Sequence, residues 1–291
     1  MLAGTPPQLI ALLAAFSYAT SGIAAKRGLR FSTPITVTLV SVTIHAVTLW
    51  LFVFLTGGAP TVSRWVLFLF ALTGTLQPVI RLCTYAGIHY VGASRGTTLR
   101  GSHPLFSTCI AILFLGEQAD FWVLMGTVLV VAGVSLISWQ PQSERVFFRW
   151  WHAGFPLGAA LLAGISHPIR RYALGLAHEP LYFAAVLGLV SFSWMGGYLL
   201  LPLSRERPVW TRESIGWFLM AGAFETLGIL LVITALSMGQ VVIVSPIVAT
   251  SPLWVLLGTW LFLRGIERLA TRTIVGAICV VAGTIAISLV R

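Results

Sequence analysis

Charge is what this chain has least of. Only 9% of its 291 residues are charged and 57% are hydrophobic, against about 25% charged in an ordinary soluble domain. Lipid is therefore the solvent for most of it. Acid is scarcest: Asp and Glu total 8 against 18 basic residues, of which Lys26 is the single lysine. A net charge of +10 would suggest nucleic acid in a soluble protein. Here no basic run with interleaved aromatics stands free of the apolar runs, so nucleic acid is excluded as a partner. The basic residues lie mainly in loops, where they set orientation and meet headgroups. Cys83, Cys109 and Cys279 all fall inside apolar runs, with no disulfide or metal spacing. No Gly-rich phosphate loop, His-Glu-x-x-His pair or nucleophile elbow is present. That argues against an ATP motor, a zinc hydrolase and an acyl-transfer enzyme, and no cofactor is expected. No positive segment precedes the first apolar run, which reads as a span rather than a cleaved leader.

What remains is a succession of apolar runs. Ten of them approach the roughly 20 residues that span hydrocarbon: 7–26, 35–56, 65–88, 93–115, 120–139, 153–174, 181–203, 214–236, 240–263 and 271–290. Short connections hold the punctuation, as in Gly57-Gly58-Ala59-Pro60 and Arg205-Glu206-Arg207-Pro208. Trp65, Trp122, Trp139, Trp150, Trp151 and Trp210 stand at run ends, as interfacial anchors do. The longest polar stretch, 140–150, falls mid-chain and is too short for a soluble domain.

The two sides of that stretch say nearly the same thing. Leu113-Phe114-Leu115 returns as Leu261-Phe262-Leu263, 148 residues on. Val130-Val131-Ala132-Gly133 returns as Val280-Val281-Ala282-Gly283, 150 residues on. Leu13-Ala14-Ala15-Phe16-Ser17-Tyr18 resembles Leu162-Ala163-Gly164-Ile165-Ser166-His167, and Pro104 matches Pro252. The expected organisation is a first repeat at 1–139, a loop at 140–152 and a second repeat at 153–291. Five spans per repeat is an odd number, so the second copy enters the bilayer from the opposite face. The fold expected is an all-α integral membrane protein of ten transmembrane helices in two inverted five-helix repeats. That geometry suits alternating access around a central site.

Ser102-His103-Pro104-Leu105-Phe106-Ser107, then Leu113-Phe114-Leu115-Gly116-Glu117, then Val130-Val131-Ala132-Gly133, resembles the EamA domain of the drug/metabolite transporter superfamily. The second copy, with Ser251-Pro252-Leu253-Trp254 and Glu267, is a looser match. The resemblance implies a ten-helix carrier or exporter of small metabolites, with a shared acidic position at Glu117. In the second copy Arg264-Gly265-Ile266-Glu267 alters that turn.

An ionisable group deep in a bilayer costs about 2.5–3.5 kcal/mol on insertion scales, which makes each one informative. Glu225 is the single acid in the middle of a run, 11 residues into the eighth, or about 16 Å deep. Arg100 lies 7 residues into the fourth from the same face, with His103 one turn later. Gln77, Tyr18 and His167 fall in the middle or inner third of theirs. The expected site is a central cavity lined by spans 1, 3, 4, 6, 8 and 9. Arg100 would grip a carboxylate or phosphate through its planar fork. Glu225 would balance Arg100, bind a substrate amine or titrate as a proton-coupling group; alternatively the two form a structural pair. Arg81 and Arg95 read as a basic funnel or as snorkelling side chains, and Arg170-Arg171 as a gate. His45 reads as packed, without a role. Pro104, Pro168, Pro246 and Pro252 are candidate kinks or hinges. Gly22, Gly101, Gly126, Gly133, Gly276 and Gly283 read mostly as close-packing positions.

Orientation divides the indications. Lys26, Arg27, Arg30, Arg95, Arg145, Arg149, Arg205, Arg207, Arg212, Arg264, Arg268 and Arg272 fall on one face. Arg64 and Arg291 fall on the other, joined by Arg170 and Arg171 if these reach the interface. The positive-inside rule then puts the termini outside, whereas the resemblance implies termini inside. The function expected is a secondary exporter or facilitator in a bacterial inner membrane, for a small metabolite carrying a carboxylate or phosphate. The alternatives are a proton-coupled exporter of cationic compounds and a lipid flippase; a lipid-modifying enzyme lacks a spaced nucleophile or metal set. Since one chain holds both halves, a monomer suffices. Protons are the candidate coupling ion.

Overall fold

The computed structural model describes residues 5–91, 99–138, 150–200, 207–262 and 271–289, and all regular structure among them is helical. The first half holds α1 (Pro7–Gly28), α2 (Pro34–Leu55), α3 (Arg64–Val91), α4 (His103–Leu115) and α5 (Phe121–Ser138). After a short 3-10 turn at Trp150–Ala153 come α6 (Gly154–Leu176), α7 (Pro180–Leu200), α8 (Arg212–Met238), α9 (Val241–Val248), α10 (Ser251–Phe262) and α11 (Thr271–Leu289). Prolines open several of these helices because the first helical positions have no acceptor for an N–H anyway. Pro7, Pro34 and Pro104 stand in the first turn of α1, α2 and α4. Gly116 closes α4 with φ 66°, left-handed backbone that suits glycine.

Seven segments among the described residues are long and apolar enough to cross a bilayer, so this is a multi-pass membrane protein. α3 and α6 are long enough but are not among the seven; they carry Gln77, Arg81, His167, Arg170 and Arg171. Large apolar side chains such as Leu55, Leu113, Phe114 and Leu200 face outward, where a soluble protein would be polar. The interior is rich in small residues. Ala11, Ala14, Ala15, Ala159, Ala160, Ala184 and Ala185 are fully buried, which lets backbones approach where lipid gives no hydrophobic drive to associate.

The run at 240–263 is not one helix. α9 ends at Val248 and α10 begins at Ser251 across a turn at Ala249–Thr250. Pro252 has no N–H to return to the carbonyl four residues back, so the α-ladder stops there. The run at 93–115 is interrupted likewise at Gly101–Ser102, just before Pro104, while 92–98 lie outside the described residues. Each break is closed by a hydroxyl bonding three residues back: Ser102 Oγ donates to the Leu99 carbonyl at 2.7 Å, and Thr250 Oγ1 to Ile247 at 2.7 Å. Pro104 and Pro252 thus start helices, whereas Pro168 and Pro246 sit inside α6 and α9.

The packing partners follow a pattern. The most extensive contacts are α1 with α8, and α5 with α11; α3 packs on α6, and α2 on α7. Exchanging the halves turns α1–α8 into α6–α3, and α2–α8 into α7–α3, and both members of each exchange are present. The repeated glycines explain the α5–α11 contact. A Cβ on Gly133 would stand 2.5 Å from the Gly276 carbonyl oxygen, and one on Gly126 2.6 Å from that of Gly283. Only glycine permits this approach. As one helix ascends from 126 to 133, the other descends from 283 to 276, so the two run antiparallel. Gly22 is different: nothing lies within 4 Å of where its Cβ would be, so it is not a packing position.

Candidate functional site

α2, α3, α7 and α8 enclose a cavity of about 430 Å³, counting its open mouth. α2 contributes Thr38, Ser41, Val42 and His45; α3 contributes Gln77, Pro78 and Arg81; α7 contributes Leu187, Gly188, Ser191 and Met195; α8 contributes Glu225 and Ile229. The lining of this cavity differs from the expected one. Spans 3 and 8 are present, but α2 and α7 form the other walls in place of spans 1, 4, 6 and 9. The reason is packing: α2 and α7 meet each other and each also meets the α3 or α8 of the opposite half.

The polar centre of the cavity is an ion pair between Arg81 and Glu225. Their side chains are 21% and 22% exposed, so the pair is open to whatever fills the cavity. Sequence depth pointed to Arg100 as the partner of Glu225. The structure gives Glu225 an ion pair with Arg81, and Arg100 Nε donates to Thr84 Oγ1 at 3.0 Å, one turn along α3 from Arg81. α3 continues to Val91, so Arg81 stands ten residues from its end, about 15 Å along the axis. Gln77 lines the same cavity one turn before Arg81. His45, which carried no expected role, also lines it. Its Nε2 lies 3.2 Å from the Ala184 carbonyl, and its ring fills the space a side chain at Gly188 would need.

Pro78 shapes this wall. It sits inside α3 and has no N–H for the Gly74 carbonyl. Ser191 Oγ supplies the missing donor at 3.0 Å, from α7. Ser191→Ala should therefore lower stability by about 1–2 kcal/mol, the penalty of an unsatisfied buried acceptor. Pro78→Ala restores an N–H, so Ser191→Ala should cost less in that background. Thermal unfolding of the two singles and the double in detergent measures the coupling; additive effects would contradict it.

A second polar group lies on α1, α4, α6 and α9. The His103 and His167 rings meet edge-on with centroids 5.8 Å apart. His167 Nδ1 is 3.0 Å from Ser245 Oγ, which accepts from Ser107 Oγ at 2.6 Å. Tyr18 lies against Gly228 of α8 and within electrostatic reach of Arg170, Arg81 and Arg100. Arg170 is 2% exposed, so it does not reach the interface; Arg171 Nη1 donates to the Leu236 and Ser237 carbonyls at 2.9 and 3.1 Å. Arg170 therefore adds nothing to the exposed positive charge of its membrane face, whereas Arg171 keeps its charge at the end of α8. Arg95 lies outside the described residues.

Arg171 makes one of three contacts gathered around the α8–α9 turn at a single end of the molecule. Glu117 is another: its two carboxylate oxygens accept the Val241 and Val242 N–H groups, both at 3.0 Å. Gly239 packs on Pro7 in the third. Glu117 was legible as an acid at a helix end, but its partner 124 residues away was not. Ser107, Ser191 and Ser245 carried no signal, because a serine in an apolar run bears no charge.

Set beside known proteins, residues 5–139 and 150–289 each match the model of the EamA-like transporter family. Phosphoenolpyruvate/phosphate translocator 1, chloroplastic, from Arabidopsis thaliana is 31% identical over 138 residues. That stretch is 47% of this chain and 32% of the relative, so the match spans about a third of the relative's length. A crystal structure of a protein superposes with a TM-score of 0.75, over 98% of this chain and 99% of its own, at 14% identity. That likeness shows the shared fold alone.

Proposed function

Because this chain belongs to the EamA-like transporter family, we propose that it is a secondary carrier of a small organic anion bearing a carboxylate or phosphate. The observation that carries the reading is the Arg81–Glu225 pair on the cavity wall, with Arg100 reaching from the fourth apolar run to Thr84, one turn along α3 from Arg81. Tyr18 senses three arginines, and Glu225 is the one acid deep in an apolar run. Basic groups outnumber acids in the interior, so an anion is the complementary solute. The chloroplast relative's name, a translocator of phosphoenolpyruvate and phosphate, supports the same class.

The architecture proposed is ten spans, counting α9–α10 as one, in two inverted repeats at 1–139 and 153–291 joined by 140–152. The antiparallel run of Gly126–Gly133 against Gly283–Gly276 supports inversion. So do the exchanged helix contacts. Two equivalent halves around one cavity suit alternating access. The carrier is placed in a bacterial inner membrane and acts as a monomer, since each chain holds both halves. A membrane potential or proton gradient is the proposed energy source, with Glu225 as the proton-accessible group.

Purified protein in proteoliposomes, screened against small carboxylates, phosphate esters and lipophilic cations, tests this. Uptake of one or more anions is expected. Uptake of lipophilic cations with none of anions would replace the reading with the cationic-exporter alternative.

A further inference from the structure

Arg170 is the most deeply buried charge described in the molecule. It is 2% exposed, and its Nε and Nη2 have no hydrogen-bond partner among the described residues. The Tyr18 phenol lies within electrostatic reach of it, and a phenol is ordinarily neutral near pH 7 and supplies no counter-charge. A guanidinium held this way costs several kcal/mol. The intramembrane carboxylate that could offset it, Glu225, is already bonded to Arg81. Glu117 is bonded to the start of α9.

Other unused polar atoms lie on the same helix face. Ser166 stands four residues before Arg170 and His167 three residues before, so all three share one side of α6. Ser166 Oγ is buried and unpartnered. His103 of α4 meets His167 edge-on. Arg170 and His103 are both within electrostatic reach of His167. Two arginine donors and a hydroxyl are thus left unsatisfied on one side of α6. Buried polar atoms are nearly always paired, so such a grouping calls for a ligand. A fixed cationic fork plus a neutral donor is the chemistry that recognises an oxyanion.

We propose that Arg170, with Ser166 one turn before it on α6, forms a second oxyanion station, separate from the residues that line the Arg81–Glu225 cavity. It lies nearer the end of the molecule where Glu117 and Arg171 meet the α8–α9 turn, since Arg171 follows it directly in α6. The inference rests on the anion-carrier reading above and deepens it: the solute's carboxylate or phosphate would be handed from Arg81 to Arg170 as the carrier turns over.

The test is anion-dependent thermal stability of full-length protein in detergent, with inorganic phosphate and with malonate as probes. Arg170→Leu, Arg170→Lys and Arg81→Gln are compared with the parent. Without probe, Arg170→Leu should melt higher than the parent, because it removes a charge that has no partner. Its half-saturating probe concentration should rise about ten- to a hundredfold, the loss of a charged hydrogen bond, and Arg170→Lys should restore part of it. Arg170→Leu melting lower than the parent would overturn the station and assign Arg170 a structural role. An unchanged probe response in Arg170→Leu, with a lost one in Arg81→Gln, would overturn the station while leaving the anion-carrier reading intact. No response in the parent to either probe, with lipophilic cations stabilising it instead, would overturn both.

Discussion

Arg81→Gln and Glu225→Gln are each expected to abolish solute uptake in proteoliposomes and to lower thermal stability, while the double substitution recovers stability and not uptake. Removing one partner of a buried pair leaves the other charged and uncompensated, at about 3–5 kcal/mol. These side chains are 21% and 22% exposed, and water in the cavity moves the expected loss toward the lower end. Neutralising both removes the uncompensated charge, so the double-mutant cycle should show favourable coupling. Uptake should respond differently. In the proposed cycle the anion displaces Glu225 from Arg81, so Arg81→Gln removes the grip itself. Losing a charged hydrogen bond of about 1.5–3 kcal/mol weakens binding by roughly ten- to a hundredfold. Glu225→Gln leaves Arg81 uncompensated between loads and holds the solute too tightly to release. Wild-type uptake in both single variants would remove the pair from the mechanism.

The helices were legible because hydropathy records which stretches of chain lie in hydrocarbon, whether they face lipid or the protein interior. Each described helix longer than a few turns begins and ends within a few residues of an apolar run. The two breaks before Pro104 and Pro252 were legible as kinks but not as full interruptions. A kink needs only the missing proline N–H, whereas an interruption also needs the Ser102 and Thr250 hydroxyl bonds that close the free ends. The site was legible as residue types rather than as pairs. Glu225, Arg81 and Gln77 do line one cavity, yet the pairing of Glu225 with Arg81 depends on helix rotation and on how far α3 extends past its apolar run. Tyr18, His103 and His167 gather on other helices, away from the cavity walls described. Depth along a sequence says how far a residue is from the membrane face and nothing about which neighbour it turns toward. The cavity walls on α2 and α7 were missed for a related reason. Thr38, Ser41 and Ser191 are small polar residues that satisfy their own or a neighbouring carbonyl, so they leave no trace in a charge count.

Glu117→Ala is expected to be the most damaging single change away from the cavity, and the reason lies in the solvent. The first N–H groups of a helix have no intrahelical acceptor. At the start of a helix in water that deficit is made up by hydration; next to hydrocarbon each unsatisfied group costs several kcal/mol. α9 is only 8 residues long and ends in a second break, so it has little of its own cooperativity to spend. Glu117 answers two of its N–H groups at once and places a negative charge on the positive end of the helix. Arg171 does the reverse at the end of α8, donating to two carbonyls. Together they fasten the α8–α9 turn, and Glu117 does so from the opposite half of the chain. Glu117→Ala should lower stability by about 3 kcal/mol or more, from two orphaned donors. Glu117→Gln keeps one acceptor oxygen and should retain part of it. The conformational readout separates closure from mere folding. In a background where Cys83, Cys109 and Cys279 are replaced by alanine, a cysteine introduced at Ser237 should react slowly with a water-soluble maleimide in the parent and at least about tenfold faster in Glu117→Gln, since loss of about 1.4 kcal/mol from the closed state shifts the equilibrium by that factor. Equal labelling rates would mean that Glu117 holds the helix end without holding the end of the molecule shut.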